Sequence, residues 1–260
     1  MPCQSTHFLG HRLILGGFTK KGTETLPNEL TYDCDGVTYA GYLADGSAEK
    51  RAPGIVVLHE AAGLGPHARA KADLLAASGY VAFAPDFFGG PVENMQQAST
   101  HIGELSGDIS KLRRRCRAAL DALCALPSVD SGKLAAIGFC FGGQAALELA
   151  RSGADLLATV GFHSGLKMSD PSDAAKIKGK VLVCLGDRDP LVPRDARDTF
   201  MDNLTDNGVD AQMLLLSGVG HSFTNPDAEA FGVPGCHYNE QADQRSWQAM
   251  QLLFAEAFTD

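Results

Sequence analysis

Several things are missing from this 260-residue chain, and each absence removes a class of protein. No apolar run approaches the roughly 20 residues that cross a bilayer, so a membrane-spanning role is not expected. Basic residues are in the minority. With 22 Lys and Arg against 31 Asp and Glu, the formal charge is −9, and the basic face that nucleic-acid phosphates would require is lacking. The seven cysteines (Cys3, Cys34, Cys116, Cys124, Cys140, Cys184 and Cys236) are odd in number and include no C-x-x-C pair. That argues against a disulfide framework and a zinc site, and fits reduced thiols in the cytoplasm. The fairly apolar stretch Phe8 to Phe18 is broken by His11 and Arg12, and no basic segment precedes it, so it does not read as a secretory signal. There is no internal repeat and no clear linker. The expectation is an N-terminal extension of no assigned role, 1–27, followed by one domain over 28–260.

What is present is an alternation of strand and helix patterns. Leu30 to Leu43 reads as two strands around Asp35-Gly36, a dipeptide suited to a hairpin. Ile55 to Leu58 is a continuous β-branched and aliphatic run, the mark of a strand covered on both faces. Further strands are expected at Tyr80 to Ala84, Lys133 to Phe139, Ala158 to Phe162, Val181 to Leu185 and Gln212 to Leu216. Helices are expected at Pro66 to Ser78, Asp108 to Leu126, Phe141 to Ser152, Arg194 to Asn207 and Asn239 to Phe258. Phe87 to Ser106 reads as loop. The arginines Arg113, Arg114, Arg115 and Arg117 read as a solvated helix face. The predicted class is therefore α/β, a mostly parallel central sheet with helices on both faces and an N-terminal β-hairpin.

Chemistry concentrates at Gly138-Phe139-Cys140-Phe141-Gly142, the cysteine form of a nucleophile elbow. A strand turning so tightly into a helix needs glycines at either side, and it presents the thiol to the positive end of the helix, which favours thiolate. Sheets of this kind gather reactive groups beyond the carboxyl ends of their strands. Asp187 and Asp189 follow one such end and His221 follows another, so nucleophile, acid and base come in the order Cys, Asp, His. Asp189, deeper in its loop, is the preferred acid, and Asp187 is assigned to turn capping or to pairing with Arg188. His163 also ends a strand but precedes the acid, and is cast as a pocket-wall or core residue. Glu60, at the end of the Ile55 strand, could raise the thiol pKa or hold its proton.

These segments resemble the dienelactone hydrolase family through VVLHEAAGLG, GYVAFAPDFFG, IGFCFGG, GDRDPLVP and GVGHSFTNP, a similarity running from about Leu30 to Phe258. The resemblance implies an α/β-hydrolase fold, a Cys140–Asp189–His221 triad and Glu60 as modulator of the thiol. It further implies an oxyanion hole from the backbone N–H groups of Ala61 and Phe141. Family members that act on dienelactone hold its carboxylate with arginines. Here Phe87 to Gly107 has no basic side chain and Phe223 is followed by Thr224, Asn225 and Pro226. Small neutral esters, lactones or thioesters are therefore the expected substrates. Arg69 aligns with a basic position of the family, and Arg69, His163 and Phe223 are the candidate pocket residues. The expected enzyme is a cofactor-independent esterase, with no metal and no nucleic-acid or membrane partner, existing as a monomer or weak homodimer. The alternatives are a true carboxymethylenebutenolidase, a non-catalytic binder and a redox-sensing thiol protein.

Overall fold

The computed structural model describes residues 28–48 and 50–259, so the expected extension over 1–27 lies outside the described residues. Strands β1 (Glu29–Cys34) and β2 (Val37–Asp45) form the predicted hairpin. Asp35 and Gly36 both take positive φ, 51° and 78°, the conformation a two-residue hairpin turn requires. The remaining strands are β3 (Ala52–Leu58), β4 (Val81–Pro85), β5 (Val129–Phe139), β6 (Ala158–Phe162), β7 (Lys180–Gly186) and β8 (Ala211–Leu216). The sheet runs in the order β1-β2-β4-β3-β5-β6-β7-β8. It is parallel from β4 to β8, and β2 joins β4 antiparallel.

Among the described residues six α-helices cover it: α1 (Pro66–Ala77), α2 (Met95–Gly107), α3 (Ile109–Cys124), α4 (Phe141–Arg151), α5 (Arg194–Asp206) and α6 (Glu240–Ala257). Because side chains alternate along a strand, β3 feeds two cores at once. Val56 and Leu58 pack with Leu112, Cys116 and Leu120 of α3 and Ala145 and Leu149 of α4. Ile55 and Val57 face the other way, into Ala72 and Leu75 of α1 and Met250 and Phe254 of α6. All four of these β3 residues are fully buried, which accounts for the unbroken apolar run.

Two expectations are corrected. Phe87 to Ser106 is not loop throughout, since α2 occupies Met95–Gly107, started by Asn94, whose side chain accepts from the Gln97 N–H at 3.0 Å. Only Ala98 and Leu105 of this helix are buried, too sparse a stripe to reveal its period. The arginines of α3 form a solvated face only in part: Arg114 is exposed and pairs with Asp35 at 2.9 Å, whereas Arg113 and Arg115 turn inward. Arg113 donates to the fully buried Glu148 at 2.6 and 2.9 Å and pairs with Asp173 at 2.7 Å, while Arg115 donates to the Phe87 carbonyl at 2.8 Å. These contacts tie α3 to α4 and to the segment leaving β4, and so brace the elbow.

Candidate active site

β5 ends at Phe139, α4 starts at Phe141, and Cys140 makes the bend with φ 52° and ψ −116°. A non-glycine residue in such a conformation persists only where its surroundings hold it. A Cβ on Gly138 would lie 2.0 Å from the Gly142 carbonyl oxygen, and one on Gly142 would lie 2.1 Å from that of Leu58. The two glycines therefore let helix and strands close together. The Cys140 N–H donates to the Phe162 carbonyl at 3.0 Å, and the Cys140 carbonyl accepts from Gly143 and Gln144 at 3.1 and 3.3 Å. The backbone of the bend is fixed on both sides.

Asp189, buried in the loop after β7, receives the Leu191 N–H on Oδ1 at 2.8 Å and the His221 ring, through Nδ1, on Oδ2 at 2.7 Å. Its rival Asp187 accepts from the Gly218 N–H at 2.6 Å and so staples the loops after β7 and β8 together. His221 is only 3% exposed; with Nδ1 on Asp189, its Nε2 is buried without a hydrogen-bond partner among the described residues, and the residue shares a cavity with Cys140. Burial is the largest single influence on the ring and opposes its charge. The Asp189 hydrogen bond and the negative charges of Asp189 and Cys140 outweigh burial and push the pKa up to about 10. The ring thus keeps its proton through neutral pH.

Cys140 and His221 open onto a cavity of about 170 Å³ lined almost wholly by apolar atoms. Its walls include Met95 and Ile102 of α2, Leu191 of the Asp189 loop, Val233 and Cys236. Ala61 and Glu60 line it from the end of β3. The N–H of Phe141, as the first residue of α4, has no acceptor within its own helix.

Glu60 borders the cavity, but its carboxylate is held from behind. Asn225 Nδ2 donates to Oε1, and His67 Nδ1 lies 3.4 Å from the same oxygen. The chain of contacts continues inward from the far nitrogen of His67. Its Nε2 meets the Thr224 carbonyl at 3.0 Å, and the Thr224 hydroxyl meets His163 Nε2 at 2.8 Å. His67, Thr224 and Asn225 were not foreseen as site residues. Their signal was the position of Ser222-Phe223-Thr224-Asn225-Pro226 directly after His221, and of His67 as the second residue of α1 at the same sheet edge.

The three candidate pocket residues lie elsewhere. His163 is fully buried behind His221, with ring centroids 5.1 Å apart, and burial together with the charges of His221, His67 and Lys71 holds its pKa well below the ordinary histidine value. Phe223 is fully buried against His163 at 5.1 Å. Arg69 is exposed on α1 with its guanidinium 5.1 Å over the Tyr42 ring, and does not line the Cys140 cavity. The side chain simply projects from the opposite side of α1 to His67.

A mostly parallel sheet with a strained strand-to-helix turn at Cys140, followed in chain order by a paired aspartate and histidine, has the architecture of an α/β-hydrolase. The chain belongs to the dienelactone hydrolase family, whose model matches residues 39–258. It is 30% identical over 236 residues to Protein usf of Aquifex pyrophilus, covering 88% of this chain and 98% of that one. It is 27% identical over 181 residues to the carboxymethylenebutenolidase homolog of Mus musculus, covering 68% and 72%. Among solved structures it is similar to m3DLH, with 45% identity, a TM-score of 0.85 and coverage of 89% and 98%. It is also similar to P91 from metagenomic libraries, described as a dienelactone hydrolase-like promiscuous phosphotriesterase, with 43% identity, a TM-score of 0.84 and coverage of 88% and 97%.

Proposed function

We propose that the protein hydrolyses small neutral esters, lactones or thioesters through an acyl-enzyme on Cys140. The observation that carries this reading is the Asp189–His221 pair at 2.7 Å, facing a thiol held in a strained turn at the floor of an apolar cavity. In this mechanism the His221 ring holds the thiol proton, the sulfur attacks the acyl carbon, and the ring gives the proton to the departing alcohol. Water, deprotonated by the same ring, then cleaves the acyl-enzyme. Asp189 keeps Nδ1 as the donor side of the ring and balances its charge. The N–H groups of Ala61 and Phe141 supply the oxyanion donors.

The cavity wall argues for neutral substrates. Besides His221, its one ionisable side chain other than thiols is Glu60, so a carboxylate-bearing substrate would meet like charge and no cation. The likeness to P91 extends the set to neutral phosphotriesters, which present an electrophile of similar size and the same lack of charge. The test is a panel of neutral and carboxylate-bearing esters and lactones with the native chain, Cys140→Ala and His221→Ala. Turnover of neutral members that vanishes in both variants is the expected result. Full activity in either variant, or a strong preference for carboxylated substrates, would overturn the reading.

A further inference from the structure

The catalytic-type cavity holds a second sulfur. Cys236 lines it together with Cys140 and is 4% exposed. It arrives there from the long segment after β8, which returns to pair His221 with Cys236 in a short parallel bridge. The bridge is closed by His221 N–H donating to the Gly235 carbonyl at 2.8 Å and His237 N–H donating to the His221 carbonyl at 3.1 Å. Paired positions project their side chains to the same face, about one strand spacing of 4.8 Å apart. Cys140, His221 and Cys236 line the same small cavity, so the two thiols face one enclosed space. The other described cysteines do not line this cavity, and burial keeps the thiols of Cys116 and Cys184 strongly protonated in the core.

We propose that Cys140 and Cys236 form a peroxide-modification site, in which oxidised Cys140 is captured by Cys236 as an intramolecular disulfide. The oxidant is hydrogen peroxide or a small alkyl hydroperoxide. The Cys140 sulfur attacks one peroxide oxygen, the O–O bond breaks, and the leaving oxide takes the proton held by His221. Sulfur has then lost two electrons and stands as sulfenic acid. Cys236 attacks this sulfur, an S–S bond replaces the S–O bond, and hydroxide leaves with the Cys236 proton as water. Two thiols and one hydrogen peroxide thus give one disulfide and two waters, and an alkyl hydroperoxide gives one water and one alcohol. Gly232 and Gly235, both at positive φ, turn the chain so that Cys236 reaches the cavity, and the Cys236 N–H donates to the Val233 carbonyl at 3.1 Å. Capture also competes with further oxidation of Cys140 to sulfinic acid, the step that thiols do not reverse.

The inference shares with the proposed function only an accessible Cys140 thiol, and its test reads mass rather than turnover. The native chain is treated with a few molar equivalents of hydrogen peroxide, enough for the two oxidations that sulfinic acid requires, quenched with a thiol-blocking reagent and mapped without reduction. The expected product is a Cys140–Cys236 linked peptide that dithiothreitol separates. In Cys236→Ser, and in Cys236→Ala as a check against misfolding, the same dose should leave Cys140 as sulfinic acid. Activity recovered by dithiothreitol, measured against each protein's own untreated rate, should fall from nearly all to nearly none. Sulfinic acid at Cys140 of the native chain without the link, a link to another cysteine, or no oxidation at Cys140 would each overturn the proposal. Loss of ester hydrolysis with the disulfide still forming would instead count against the hydrolytic reading alone.

Discussion

The protonated ring of His221 should make the molecule lose stability as the medium becomes alkaline. The folded-state pKa of about 10 lies above the ordinary 6.5, so below 6.5 the ring is charged in the folded and unfolded chains alike and its whole contribution is present. Between 6.5 and about 8.5 the unfolded chain carries the shared proton on the free thiol and the folded chain carries it on the ring, so the counts match; between about 8.5 and about 10 the unfolded chain has released it and the folded chain has not. Stability then falls by about 1.4 kcal/mol per pH unit, and the contribution is exhausted once the folded ring titrates. Over that interval this amounts to about 2 kcal/mol. Urea unfolding at pH 8 and pH 10 should show the decline in the native chain, and His221→Gln should remove most of it. The same proton sets the alkaline limb of kcat/KM for a neutral alkyl ester followed by pH-stat, expected near 10 in the native chain. Asp189→Asn should move that limb downward and reduce kcat about 10³–10⁴-fold, since the ring loses both its charge partner and its enforced tautomer. Parallel stability slopes in the native chain and His221→Gln, or a native alkaline limb near 6.5, would refute this account of the pair.

Three further outcomes follow from the packing. Gly142→Ala places a methyl 2.1 Å from the Leu58 carbonyl oxygen, and should cost more than about 4 kcal/mol or prevent soluble expression, read by thermal melting. Arg151 is fully buried, with none of its side-chain nitrogens hydrogen-bonded, over Phe200 at 5.4 Å and 3.7 Å from Glu148. Arg151→Met should leave the Glu148–Arg113 pair intact and be neutral or stabilising by about 1–2 kcal/mol, whereas Glu148→Gln should destabilise by about 3–5 kcal/mol, both measured by urea unfolding. Asn225→Leu removes the amide that donates to the buried Glu60 carboxylate, and should cost about 1–3 kcal/mol in the same assay.

The parts legible in the sequence are those written in a strong period or forced by sterics. The β3 run Ile55 to Leu58 is apolar without a break because both its faces are covered, and the glycines around Cys140 admit few other uses. The preference for Asp189 over Asp187 rests on depth in the loop, and the structure gives each a distinct partner, His221 and Gly218. Helix α2 was not legible because it buries only two side chains, and with it went Met95 and Ile102 as cavity walls. Arg113 looked like a surface residue because its partners, Glu148 and Asp173, are remote in sequence. Cys236 could not be placed near Cys140 either, since its position depends on the path of a long irregular segment and not on any local pattern.

Every residue of α4 is buried, an uncommon condition for a helix that begins at a reactive side chain. Such a helix cannot be seated until α3, the residues 171–176 and the sheet have all closed around it, and the bend at Cys140 exists only once it is seated. On the proposed mechanism, the nucleophilicity of Cys140 is therefore a readout of complete assembly. A partly opened molecule would retain most of its sheet and yet carry an ordinary, slow thiol, so thiol reactivity should disappear earlier in a denaturant titration than the β-sheet signal does.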